Sequence, residues 1–111
     1  MGEKASQRLY LMAAPSKLNL QKIGVSINPL SRKRQLELTS GLSISILKVW
    51  ETLDQTARQV EQQLHAEFSR KRQNGEWFTG ITISDIEYAG FELRECNHDG
   101  TIKAQYRFGE E

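Results

Sequence analysis

A chain of 111 residues, 38% hydrophobic and 26% charged, has the make-up of one domain with a modest core that needs no covalent staples. The single cysteine, Cys96, excludes an internal disulfide and any multi-cysteine metal site, and histidines are limited to His65 and His98. No apolar run approaches bilayer length and no apolar leader opens the chain, so the expectation is a cytoplasmic protein. The net charge of +1 covers an asymmetry, because residues 1–72 hold twelve Lys and Arg against six Asp and Glu, whereas residues 73–111 hold three against eight. A basic body suits a polyanionic partner, although scattered charge explains the same counts.

In chain order, Arg8 to Ala13 reads as a first strand and Ala14-Pro15-Ser16-Lys17 as a turn. Leu18 to Ile27 reads as a second strand. Leu18, Leu20 and Lys22 fall on one face, Ile23, Val25 and Ile27 on the other. Asn28-Pro29 is a helix start, since Asn caps free amides and Pro is tolerated at the first helical position. That helix is expected to run to about Thr39 and to stop before Gly41. Arg32, Lys33 and Arg34 succeed one another on it, about 100° apart, so at most two can address one site.

Leu42 to Trp50, rich in Ile, Val and Trp, reads as a third strand. Thr52-Leu53-Asp54-Gln55 matches a capping box and places a second helix start there. Leu53, Ala57, Val60, Leu64 and Phe68 recur at helical spacing and form its core stripe. Glu61 and His65 lie one turn apart on the border of the stripe. Periodicity leaves Glu61 either a solvated border residue or a carboxylate aimed at a site. Arg70-Lys71-Arg72 suits the negative end of the helix dipole, which accounts for the cluster by itself. Asn74-Gly75 breaks the chain, Ile81 to Tyr88 fits a short helix capped by Ser84, and Phe91–Cys96 with Thr101–Phe108 fits a hairpin around an Asp-Gly turn.

Tyr10, followed after eleven residues by Lys22-Ile23-Gly24, resembles the signature of the GIY-YIG nuclease superfamily. Arg32 stands eight residues after the motif glycine, and Glu61 with Leu64 three residues on matches the glutamate-bearing helix. The chain is similar to the compact bacterial and phage branch, with its Glu-x-x-x-His-x-x-Phe helix (Glu61, His65, Phe68) and its Gly-Glu-Trp-Phe box (Gly75 to Phe78). The resemblance covers about residues 8–80. Residues 81–108 form an extension outside it, within a single domain spanning 1–111. Arg8 and Leu9 replace the leading glycine and isoleucine, and Lys22 replaces the second motif tyrosine.

The resemblance implies an α/β (α+β) fold: a three-stranded, mostly antiparallel sheet flanked by helices, with a C-terminal hairpin. It also implies a metal-dependent endonuclease acting on DNA. Glu61 would hold Mg²⁺ or Mn²⁺, a role one carboxylate can fill when phosphate and water complete the shell. Arg32 would clamp the phosphate bidentately, with Lys33 and Arg34 touching substrate nearby. Tyr10 would be the general base, and the Lys22 ammonium would favour its phenolate. His65 would assist proton transfer or bind phosphate, or else simply pack beside Phe68. Glu76 and Trp77 would lock their loop to the body. With no second recognition module in view, sequence specificity would be low or supplied by a partner protein. The competing reading is a nucleic-acid-binding or protein-interaction module on the same fold without turnover; a structural subunit of a phage or mobile-element assembly is a third.

Overall fold

The computed structural model describes residues 6–104. Its centre is β1 (Arg8–Ala13), four of whose six residues are buried. On one side β1 pairs antiparallel with β2 (Leu20–Ser26), on the other with β3 (Ser45–Thr52). These three strands are the expected sheet, but the sheet has six. Beyond β2 lie β5 (Trp77–Thr79) and β4 (Arg72–Asn74), and beyond β3 lies β6 (Leu93–Cys96), in the order β4-β5-β2-β1-β3-β6 with every pair antiparallel. The added strands are three or four residues long, too short to display the alternation by which a strand is read from sequence.

Two corrections follow from those pairings. Arg72 begins β4 instead of ending a helix, and the chain reverses into β5 at Gly75, whose φ of +56° is the left-handed conformation that glycine adopts without cost. Phe91–Cys96 does not form an independent hairpin, because its strand segment joins β3 through Val49↔Cys96 to Thr52↔Leu93. The Asp-Gly turn does form, with Asn97 N–H donating to the Thr101 carbonyl and a single bridge from Cys96 to Ile102. The rest of the expected second arm, 105–108, lies outside the described residues.

Helix α1 (Pro29–Ser40) is capped by Asn28, whose side chain accepts from Ser31 N–H, and it stops at Gly41 with φ +73°, as the sequence signals require. Helix α2 (Ala57–Glu67) starts four residues later than expected. Thr56 and Gln59 make the reciprocal capping box, while Thr52 closes β3 and donates its hydroxyl to the Gln55 carbonyl at 2.6 Å. Leu53 is therefore a half-exposed loop residue and not part of the stripe. Helix α3 (Ile83–Glu87) is present, but Thr82 caps it and Ser84 lies inside it. A turn of 3-10 helix at Ser16–Leu18 shortens β2 at its start, and a second at Ser69–Lys71 links α2 to β4.

Two cores sit on opposite faces of the sheet. On one, Leu9, Leu11, Ile23, Trp50 and Phe78 pack with Val60 and Leu64 of α2 and Ile86 of α3. Burial of a side chain such as Val60 or Leu64 contributes about 1.5–3 kcal/mol, which is what holds an 11-residue helix in place. On the other face, Tyr10, Met12, Ile44, Val49 and Cys96 pack with Leu36 of α1. Among the described residues, no helix is long and apolar enough to cross a membrane.

Candidate active site

The register of β1 and β2 sets the site. Tyr10 lies opposite Gly24 and Met12 opposite Lys22, so Tyr10 and Lys22 share a face as diagonal neighbours. The Tyr10 ring occupies the space a side chain at position 24 would need: a Cβ on Gly24 would fall on the Tyr10 hydroxyl and within 2.6 Å of Cζ. Glycine is required here for close approach, not for its backbone freedom. Tyr10 is 1% exposed, and burial pushes its pKa up to about 12. Arg32, on α1, whose Nη1 donates to Gln35 Oε1 at 3.3 Å, is near enough to the phenol to oppose that rise; Glu76 and Glu61 reinforce it.

Glu61 is buried on α2, at 5% exposure, which rules out the solvated-border reading. Among the described residues no hydrogen bond or ion pair reaches its carboxylate, yet none of its oxygens is sealed from solvent. Burial raises its pKa, and the nearby Glu76 carboxylate raises it further, against the pull of His65, Arg58 and Lys22. A buried, unpaired carboxylate beside a second carboxylate disfavours its own ionisation, and a cation would relieve both costs.

Lys22 is also 5% exposed, so it does not point idly to solvent. Its Nζ lies 2.7 Å from Glu76 Oε1 and 5.6 Å from the Trp77 ring centroid. The ammonium is thus committed to the β4–β5 hairpin, and the cation that acts on Tyr10 is Arg32, contrary to the expected Lys22–Tyr10 pairing. Glu76 and Trp77 lock the hairpin as expected, and Glu76 also contributes charge to the site, which its position in a short box did not reveal.

His65 Nε2 lies 2.9 Å from the Ile23 carbonyl oxygen and Nδ1 lies 3.3 Å from Arg72 Nη2, while the ring tilts against Phe78 at 5.1 Å. Both nitrogens are engaged within the fold, so in this arrangement neither is free to relay a proton to or from a substrate. Lys33 is paired with Glu37 at 3.1 Å on the same helix, and Arg34 is exposed on α1. The structure thus gathers Tyr10, Arg32, Glu61, Lys22 and His65 with Glu76 at the junction of β2, α2 and the hairpin, and leaves Lys33 and Arg34 on the flank.

No curated protein and no solved structure matches the chain. The model of the T5orf172 domain matches residues 7–97, a segment that takes in α3 and β6, which the motif resemblance had left outside. The chain belongs to the T5orf172 domain family.

Proposed function

We propose that the chain is a metal-dependent endonuclease of the GIY-YIG type that hydrolyses phosphodiester bonds in DNA. Membership of the T5orf172 family agrees with a nuclease-like or DNA-binding role. The observation that supports the finer reading is that the buried Tyr10 phenol feels the charges of Arg32, Glu76 and Glu61, which come from three different elements of the fold.

The donor set fits a hard divalent cation such as Mg²⁺ or Mn²⁺. Among the described residues Glu61 is a largely buried oxygen donor without a hydrogen-bond or ion-pair partner, and a cation of this kind commonly rests on one or two carboxylates with phosphate and water. When bound, it supplies polarisation of the phosphoryl oxygen and stabilisation of the leaving oxygen. The remaining work falls to the chain. Arg32 presents a planar fork to the phosphate oxygens as charge develops on them. Tyr10 Oη takes the proton of the attacking water, and the nearby Arg32 charge favours the phenolate this requires. Lys22 holds Glu76 and the hairpin in place, and Lys33 and Arg34 meet flanking phosphates.

A second reading, nucleic-acid binding without turnover, gains from the raised pKa of Tyr10, because a phenol near 12 is almost wholly protonated at neutral pH. Plasmid nicking in Mg²⁺ or Mn²⁺ separates the two. Wild type should convert supercoiled plasmid to nicked circle, and Glu61→Ala should not. DNA binding by wild type with no nicking in either cation selects the binding module.

A further inference from the structure

Resting on the nuclease reading, we infer that Arg72 is a further phosphate-binding residue of the site and that His65 is the positioning residue that holds it there. Many cations around the sheet face a carboxylate: Lys22 faces Glu76, Lys33 faces Glu37, Arg8 and Arg94 face Glu51, and Lys48 faces Glu87. Arg72 differs. Its Nε donates to the Gly75 carbonyl, its Nη2 faces His65 Nδ1 at 3.3 Å, and its guanidinium carbon lies 5.7 Å from the Phe78 ring centroid. All three partners are neutral groups. Among the described residues no carboxylate pairs with it, and it is exposed. The guanidinium is therefore ordered while its charge stays available. Such a group can meet an anion without first breaking an ion pair and with little conformational entropy left to lose.

The tautomer of His65 follows from its partners. The Ile23 carbonyl can only accept, so Nε2 carries the proton and donates. Nδ1 then offers a lone pair, which is what a guanidinium N–H needs. His65 thus ties Arg72 to the backbone carbonyl of the residue before Gly24, directly beneath Tyr10. The hairpin carrying Arg72 is also held by Lys22–Glu76, so the guanidinium is fixed to the same frame as Glu61 and Arg32. Arg32 and Arg72 belong to different elements, α1 and β4, so each can meet a different phosphate of one strand. Position 72 was read from sequence as a helix-end cation; the turn at Gly75 makes it a strand residue opposite Phe78, tied to β2 through His65.

The test is binding of a fluorescein-labelled 20-base-pair duplex, free of metal, across a salt series, with each variant's fold checked by circular dichroism. The parent is the full chain. Each phosphate contact contributes about 0.9 to the slope of log affinity against log salt. Arg72→Gln should lower that slope by about one contact and weaken binding several-fold. Arg72→Lys, which keeps the charge and loses the fork, should keep the slope. His65→Ala should also keep the slope while weakening binding, and His65→Gln, which retains a donor and an acceptor, should recover part of the loss. An unchanged slope in Arg72→Gln overturns the inference while leaving the nuclease reading intact. A lowered slope in His65→Ala overturns the positioning role, because a positioning residue carries no phosphate contact of its own. Failure of the parent to bind duplex at low salt removes the functional reading, and this inference with it.

Discussion

The two edges of the sheet handle charge differently. Along β3 and β6, charged side chains are matched: Glu51 receives Arg94 at 2.8 Å and Arg8 at 3.8 Å, Lys48 bridges Glu87 and Glu95, and Lys103 lies 3.0 Å from Glu95. Glu87 also accepts from Trp50 Nε1 at 2.9 Å. Around β2, α2 and the hairpin, Lys22 and Glu76 are paired, but among the described residues Glu61 is buried without a hydrogen-bond or ion-pair partner and Arg72 is ordered without an anion. Matched charges at a sheet edge keep the surface soluble and set register, and contribute little else. An unmatched carboxylate on a largely buried side chain costs stability in the free chain, and such groups cluster at functional sites. The comparison therefore separates charge paired within the fold from charge left open to a ligand.

The largest effect should come from Glu61→Gln, which keeps the shape and removes the charge. Nicking should be lost, and the variant should melt higher than wild type near neutral pH. The sign follows from the raised pKa: a carboxyl group held protonated in the fold favours folding at low pH, and that contribution is lost as pH rises through its folded pKa. The gap between the two melting curves should therefore open from acid to neutral pH. A variant that is less stable than wild type at every pH would mean that Glu61 has a structural partner and would dissolve the contrast between the edges.

Next comes Gly24→Ala. The added methyl must displace the buried Tyr10 ring, and overpacking of this kind costs about 1–3 kcal/mol. Denaturant unfolding should show that loss together with reduced nicking, since the phenol moves away from Arg32. A site that tolerated the methyl in both measurements would not depend on close packing of Tyr10 against β2.

Much of this was readable before the structure. The Asn28 cap, Pro29 and Gly41 bracket α1 correctly because capping chemistry is local. Tyr10, Arg32 and Glu61 sit on β1, α1 and α2, the elements expected for them, and the charges of Arg32 and Glu61 reach Tyr10. What escaped was non-local or short. Arg72–Asn74 and Trp77–Thr79 become strands only because β2 offers an edge to pair with. Two threonines, Thr52 and Thr56, each precede a polar residue at the spacing of a capping box, and β3 claims the first of them. The partner of Lys22 could not be inferred from strand register alone, because Glu76 arrives from a hairpin fifty-four residues away.

The titration of Tyr10 should be visible twice. A phenol at about 12 in the fold, against about 10 unfolded, favours the folded state below pH 10 and loses that contribution as pH rises toward 12. The loss amounts to at most about 2.7 kcal/mol at 1.36 kcal/mol per pH unit, and Tyr10→Phe should abolish it. If Tyr10 is also the base, the nicking rate should climb about tenfold per pH unit through the alkaline range until the fold gives way. A flat alkaline profile would leave Tyr10 a packing residue that orients Arg32.

The smallest effect should lie at the matched edge. Arg94 sends both Nε and Nη2 to Glu51 Oε1, at 3.1 and 2.8 Å, on partly exposed side chains facing each other across β3 and β6. A pair of this geometry gains in Coulomb energy what it largely loses in side-chain entropy and hydration, so the coupling measured for such pairs is about 0.2–1 kcal/mol. A double-mutant cycle with Glu51→Gln and Arg94→Met should return a value in that range by denaturant unfolding. The coupling should shrink in high salt, because solvent screens an exposed pair. Nicking should be unchanged in all three variants: this edge lies three strands from the hairpin, and its charges already neutralise one another. A loss of nicking in Glu51→Gln comparable to that in Glu61→Gln would place the matched edge in the site. Partnering of charge would then no longer distinguish the two halves of this sheet.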